Sequence, residues 1–349
     1  MQQKNKNRNT IIQLAVGIII SVVFIYFTFR KLDLGKILES IRAVNLFYVM
    51  LAVVINTGIL VLRGIRWREL IPTQKHIHTG TLISATYIGY MANNIFPAKV
   101  GEIVRPYMLG AKEGISKTSA FASVVMERLI DGLSAFIILI ILTFTFPDLN
   151  ENMRRAFPAM HIDLRQFAVA IFVLFAAMFT FLMFLRFGRE QALSIVRFFL
   201  KPFPKVLGEK VIQVIHKFTD GIGFAYYPRS IIITVIYTLV YWAALGFGLM
   251  FLLFAFPFSA SLPAPYLTAL WVLCISGLGF SIPSAPSNIG TFEFACVFAL
   301  VLSGVNANDA ASYALVSHAV SAIPQIIVGF ICLLTSGIHL KDAAAASKE

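Results

Sequence analysis

The stretch NNIFPAKVGEIVR, residues 93–105, decides how this chain folds. It overlaps the end of the apolar run 79–96, TGTLISATYIGYMANNIF, which Ser84, Thr86, Gly89, Asn93 and Asn94 interrupt. Pro97 has no amide hydrogen to give a helix, and Gly101 tolerates backbone angles that other residues avoid. A segment built this way leaves carbonyls and amides open, and hydrocarbon cannot satisfy them. It therefore belongs inside protein or beside water.

The composition sets the surroundings of that stretch. Hydrophobic residues make up 58% of the 349 and charged ones 13%, and the mean hydropathy is +0.81. Soluble domains carry about twice that charged share. The chain is an integral membrane protein, with apolar runs such as 10–29, 166–187 and 231–256 reaching the roughly 20 residues a helix needs to cross a bilayer. The net charge of +12 does not indicate nucleic acid, because Lys and Arg gather at the ends of apolar runs, where lipid headgroups are their partners. Cys274, Cys296 and Cys332 lie in apolar surroundings without paired or metal-like spacing and read as packing residues. The run after MQQKNKNRNT is too long for a cleaved signal and enters Arg30-Lys31, so it reads as an uncleaved first span with residues 1–9 cytoplasmic.

The fold class expected is all-α, a single polytopic membrane bundle over residues 1–349 with about six to eight transmembrane helices. Crossings are expected at 10–29, about 46–62, 118–146, 166–187, 231–256 and about 310–338. RGIRWREL, residues 63–70, reads as a cytoplasmic interface anchor. Residues 188–228 mix basic and apolar residues in the manner of helices lying at the headgroups, and are a candidate surface for a partner protein or a second copy. Residues 339–349 form a tail. If 79–117 and 266–304 each dip in and return, the basic 188–228 segment and the C-terminus come to the cytoplasmic side, although the basic 30–42 loop then falls outside.

Those two dips share a pattern. Pro97-Ala-Lys-Val-Gly101-Glu102 and Pro286-Ser-Asn-Ile-Gly290-Thr-Phe-Glu293 both run proline, two residues, a branched residue, glycine, then glutamate. The blander alternative is a pair of ordinary turns between full spans. Paired broken segments in corresponding halves point instead to a transporter's central site and a weak internal repeat.

Charges accompany the breaks. A charged side chain at mid-bilayer is costly, so it faces an interior path and pairs. Glu127 and Asp131 share a helix face, and Arg128 stands three residues from Asp131; these last two either neutralise each other or serve a site. With Glu102, Arg105 and Glu293 the charges surround one expected wet cavity. Asn93, Asn94, Lys99 and Asn288 complete the candidate substrate-binding set. His318 reads as a hydrogen bonder between helices, with Gln325 a further polar contact. Catalytic residues, metal ligands and cofactors are not indicated.

The blocks NNIFPAKVGEIVR, Met126-Glu127-Arg128-Leu-Ile-Asp131 and Pro286 to Glu293 resemble the flippase-like membrane domain of lysylphosphatidylglycerol synthases and its stand-alone relatives. The resemblance covers nearly the whole chain. It implies a helical bundle in the cell membrane that moves a phospholipid or lipid-linked headgroup between leaflets, and not an enzyme. Full synthases carry a soluble aminoacyl-transferase domain after the membrane part, whereas this sequence ends at Glu349. Family members often have arginine at the position of Lys99 and glycine at that of Ser287, which leaves the substrate open. Two other functions stay in view: a membrane-embedded transferase on a lipid or polyprenyl substrate, and an accessory subunit of a lipid or glycan assembly complex.

Overall fold

The computed structural model describes residues 2–71, 75–97, 99–146, 149, 151–153, 163–188, 191, 194, 212, 227–282 and 284–336. The interfacial region expected at 188–228 and the tail 339–349 lie almost wholly outside them, as do Asp148, Arg154 and Arg155. Among the described residues the fold is helical, without strands. In chain order the helices are α1 (Gln2–Phe29), α2 (Leu34–Arg42), α3 (Leu46–Leu70), α4 (Thr79–Ile95), α5 (Gly101–Glu113) and α6 (Lys117–Thr145). Then come α7 (Leu164–Phe187), α8 (Pro228–Phe254), α9 (Pro265–Ser281), α10 (Thr291–Leu302) and α11 (Ala307–Ser336).

Among the described residues four helices, α3, α7, α8 and α11, are long and apolar enough to cross a membrane by length and composition, and the count is five where α1 and α2, bent by 85° to each other, are taken as one broken span. Large apolar side chains stay exposed along them, among them Ile19 on α1, Phe181 on α7, Leu239 on α8 and Leu334 on α11. An apolar surface of that extent belongs against lipid. The bend after α1 follows from sequence: Asp33 caps α2 by accepting from the amides of Gly35 and Lys36. Ser312 of α11 then holds the Ile37 carbonyl of α2 at 3.1 Å.

The two broken runs are helical hairpins. In the first, Gly89 of α4 faces Gly101 and Arg105 of α5, and Asn93 faces Gly101, so the two helices run antiparallel. In the second, Gly279 of α9 faces Thr291 and Ala295 of α10, and the Trp271 indole donates to the Ala299 carbonyl at 3.0 Å. The hairpin arms have 17, 13, 17 and 12 residues, about 25, 20, 25 and 18 Å at 1.5 Å per residue. Each falls short of a hydrocarbon core of about 30 Å. Glycine lets the arms close: a methyl on Gly101 would stand 1.8 Å from the Gly89 carbonyl oxygen.

Each hairpin has its own apolar core. Trp67, Leu82, Met91, Met108 and Met126 pack around the first, and Trp271, Leu253, Phe256, Leu300 and Tyr313 around the second. Cys274 and Cys296 are buried free thiols, as expected of packing residues. α11 joins the halves by packing along both α4 and α10.

One boundary differs from expectation in a way that matters. α3 does not stop near residue 62 but continues as helix through RGIRWREL to Leu70. Arg63, Arg66 and Trp67 are buried rather than anchored at an interface. They can be buried because a neighbouring helix supplies their partners.

Candidate functional site

Helical spacing brings those partners together. On α3, Arg63, Arg66 and Trp67 fall at three- and four-residue intervals and so share a face. On α6, Ser123, Glu127 and Asp131 follow one another every fourth residue. The two stripes meet. Arg63 Nε lies 2.5 Å from Glu127 Oε1 and its Nη2 2.7 Å from Asp131 Oδ2. Arg66 Nη1 lies 2.7 Å from Asp131 Oδ1, and its Nη2 is 3.5 Å from Glu127. The Trp67 indole donates to the Ser123 hydroxyl at 2.9 Å.

α8 and α5 close the network. Arg63 donates to the Tyr241 hydroxyl at 2.5 Å and Arg66 to the Thr238 hydroxyl at 3.2 Å, both on α8. From α5, Arg105 Nη1 lies 2.8 Å from Glu127 Oε2. Its guanidinium carbon sits 3.9 Å from the centre of the Trp67 ring, a stacked cation over an aromatic face. Arg105 is within ion-pair distance of Glu127 but out of hydrogen-bond alignment, so its three side-chain nitrogens have no hydrogen-bond partner within the chain. Leaving buried polar groups this way is costly, and such groups point to a functional constraint.

Of the two alternatives for Arg128 and Asp131, a neutralising pair or service to a site, the structure does not show the pair. Asp131 is taken by the two α3 arginines, while Arg128 turns to Glu102 of α5 through its Nε, 3.1 Å from Oε2, and through a closer second contact. The reason is rotational: residues 127 and 128 are about 100° apart on a helix, so they serve different neighbours. This outer pair is the accessible end of the network. The Arg128 side chain is 41% exposed and Glu102 23%, against 0–3% for Arg63, Arg66, Arg105 and Glu127. Lys99 is exposed on the turn just before Glu102, with a left-handed φ of 52°.

A second cluster forms at the other break. Glu293 of α10 accepts the Gly290 amide at 2.6 Å and makes a short contact with His318 Nδ1 of α11. His318 Nε2 lies 2.8 Å from the Ser287 hydroxyl. Ser287, Asn288 and Gly290 all have positive φ, at 61°, 57° and 93°, and the turn opens on the short 3-10 helix Pro286–Asn288. Asn288 accepts from Ser284 at 3.3 Å through its side chain and from Thr291 at 3.1 Å through its carbonyl, both bonds lying within the turn. Glu293 thus belongs to a cluster separate from Glu102 and Arg105, not to one shared ring of charges.

The two adjacent asparagines link the clusters. Asn93 accepts the Gly101 amide at 2.8 Å and donates to Glu102 at 3.4 Å. Asn94 donates to the Tyr90 carbonyl and to Gln325, both at 3.0 Å, and receives the Ser287 hydroxyl at 2.9 Å. Pro97 and Gly101, with Pro286 and Gly290, mark the breaks as the sequence indicates. Where the wet central pocket is expected, the inner charges pack on one another and are buried. An open hollow of about 620 Å³ lies elsewhere, lined by apolar residues of α2, α3 and α11 such as Ile41, Val53, Leu315 and Ile323.

Sequence reasoning missed Arg63, Arg66, Trp67 and Tyr241 as members of the site. The usable signal was charge balance, because Glu127 and Asp131 inside an apolar helix require cations, and Arg63 and Arg66 lie at the right spacing with no helix breaker before them.

Comparison with known proteins agrees with this architecture. The chain is 25% identical to the glycosyltransferase AglD of Haloferax volcanii across 97% of its own length, yet it spans only 57% of that protein. It is 22% identical to a UPF0104 membrane protein of Methanothermobacter thermautotrophicus, covering 95% of each chain. Another UPF0104 membrane protein, from Methanocaldococcus jannaschii, is 24% identical over 91% of this chain and 93% of that one. Residues 14–329 match the lysylphosphatidylglycerol synthase TM region, and the chain, a multi-pass helical membrane protein, belongs to that family.

Proposed function

We propose that the protein moves a lipid with an anionic headgroup between leaflets of the cell membrane, with its N-terminus cytoplasmic. One observation carries the reading. Four guanidiniums, Arg63, Arg66, Arg105 and Arg128, meet three carboxylates, Glu102, Glu127 and Asp131, leaving a surplus positive charge in an otherwise apolar bundle. A buried surplus charge calls for a counter-ion. Its accessible end is Arg128 beside Lys99, and a guanidinium grips a phosphate with two parallel hydrogen bonds. In this reading Asn93, Asn94, Lys99, Glu102, Arg105 and Arg128 form the headgroup path, and the hairpins open and close it.

The test uses the full chain in phosphatidylcholine and phosphatidylglycerol vesicles holding a fluorescent phosphatidylglycerol, with quencher added outside to report the outer-leaflet fraction. The parent is expected to exchange the probe at least several-fold faster than protein-free vesicles, and Arg128→Ala and Glu102→Ala to abolish the gain while still being produced. If both variants exchange at the parental rate, the site assignment is wrong.

The likeness to a protein named a glycosyltransferase favours a second reading, in which the chain serves a membrane transferase acting on a lipid or polyprenyl substrate. Transfer of a labelled sugar to a lipid by the purified chain alone, without leaflet exchange, would establish that reading over the first.

A further inference from the structure

The polarity of the hydrogen bonds around His318 carries a second conclusion. Asn94 Nδ2 faces the Tyr90 carbonyl oxygen at 3.0 Å. A backbone carbonyl only accepts, so the amide cannot be flipped, and Asn94 Oδ1 must be the atom facing Ser287. The Ser287 hydroxyl has one hydrogen, and Asn94 takes it. Ser287 must then accept from His318 Nε2, 2.8 Å away, so Nε2 carries a hydrogen.

On the ring's other side, Nδ1 touches Glu293 Oε1, while Oε2 is occupied by the Gly290 amide. Two bare lone pairs do not sit in contact, so one more proton lies between Nδ1 and Oε1. Whichever atom holds it, the pair together is electrically neutral.

Removing that proton rearranges the chain of bonds. The neutral imidazole then has a single hydrogen and turns it to the Glu293 carboxylate, which leaves Nε2 bare. The hydrogen within reach of Nε2 is that of Ser287. Ser287 gives it to His318 and releases Asn94.

We infer that Glu293 and His318 form a proton-binding site whose occupancy sets whether Ser287 holds Asn94, and so whether the hydrogen bond between the two hairpins is made. Asn94 also touches Gln325 of α11, and its neighbour Asn93 holds Glu102, the partner of Arg128. Proton binding at one break therefore reaches the headgroup path at the other through two consecutive residues. The groups facing the pair from surrounding elements are neutral: Asn94 of α4, and Phe292, whose ring meets the imidazole at 5.0 Å. The Cys296 thiol on α10 also acts with Glu293, and Ser276 of α9 lies against that thiol. Through Asn94 and its neighbour Asn93 the cluster connects to the ion pair of Glu102 with Arg128. A lipid transporter without a nucleotide loop in its sequence needs an ion or lipid gradient, and this site would let a proton gradient serve. That last step rests on the transport reading; proton binding itself does not.

The experiment has two arms. First, the full chain with 15N-labelled histidine is placed in phosphatidylcholine nanodiscs and its imidazole nitrogens are followed from pH 5 to 9, the His318 signals being those missing in His318→Asn. Signals that change with pH in the parent and stop changing in Glu293→Gln are expected; His318 signals that are constant across the range, or that titrate alike in Glu293→Gln, overturn the proposal. Ser287→Ala retains the pair and should still titrate, which guards against Glu293→Gln failing to fold.

Second, exchange of fluorescent phosphatidylglycerol is measured in vesicles with the pH gradient imposed in either direction. A several-fold dependence on gradient direction in the parent, lost in Ser287→Ala with exchange retained, is expected; equal rates in both directions overturn proton coupling. If no variant and no parent exchanges lipid, the transport reading fails while the first arm still decides proton binding.

Discussion

Arg105 lies 2.8 Å from Glu127 on one side and 3.9 Å above the Trp67 ring on the other. That arrangement makes Glu127, among the described residues, the sole carboxylate contacted by three guanidiniums, those of Arg63, Arg66 and Arg105. Glu127→Ala should be the most damaging single change within the ionic network. Removing one member of a buried ionic group leaves the others uncompensated, at a cost of about 3–5 kcal/mol. Thermal unfolding followed by tryptophan fluorescence in detergent will show a large loss for Glu127→Ala and a smaller one for Glu127→Gln, which keeps the volume and an acceptor oxygen.

Arg63→Lys tests geometry at constant charge. Arg63 uses separate nitrogens for Glu127, Asp131 and Tyr241, and a single ammonium on a flexible stem cannot span the three. Loss of one charge-assisted hydrogen bond costs about 1.5–3 kcal/mol. The same unfolding measurement should place Arg63→Lys below the parent by that amount, and below Arg68→Lys, since the Arg68 bond described here is to the Ile77 carbonyl.

Gly101→Ala should keep the first hairpin from closing. The added methyl would stand 1.8 Å from the Gly89 carbonyl oxygen and 2.6 Å from Asn93 Oδ1, and a backbone atom cannot step aside as a side-chain tip can. Gly277→Ala is the control, because nothing lies within 4 Å of a methyl there. Size-exclusion profiles of the two should differ, with Gly101→Ala aggregated or absent and Gly277→Ala monodisperse. A normal profile for Gly101→Ala would remove the close crossing from the account.

Trp67 and Ser123 should be energetically coupled. The indole donates to the hydroxyl at 2.9 Å, and that hydroxyl passes its own hydrogen to the Ala120 carbonyl at 2.7 Å. A double-mutant cycle with Trp67→Phe and Ser123→Ala should give a coupling of about 0.5–1.5 kcal/mol. Additive effects would mean the two residues contribute by packing alone.

Much of the fold was legible because proline, glycine and apolar length act locally. Pro97 and Gly101, and Pro286 and Gly290, end and restart helices where the sequence suggests, and short apolar runs between them become hairpins because they are too short to span. The charged site was less legible. Which cation serves which carboxylate depends on helix rotation and on which helices are neighbours, and neither is local; hence spacing alone left open whether Arg128 pairs with Asp131 on its own helix, and did not point to Glu102 across the gap. RGIRWREL misled for a related reason. Three arginines beside a tryptophan after an apolar run have the same composition at a membrane surface and in a buried network, and only α6 distinguishes the cases. Asn93 and Asn94 were visible as oddities, but their opposite allegiances follow from the 100° turn between consecutive helical residues.

The seat of α1 is built from the far half of the chain. A methyl on Gly17 would stand 2.9 Å from the Ser284 carbonyl oxygen, and one on Gly290 2.6 Å from that of Ser21; the Ala285 amide donates to the Ser21 hydroxyl at 2.9 Å. This seat therefore does not exist until more than 260 residues beyond Ser21 have been added. Biogenesis must hold this helix waiting in the bilayer with its small-residue groove unfilled until the second break arrives.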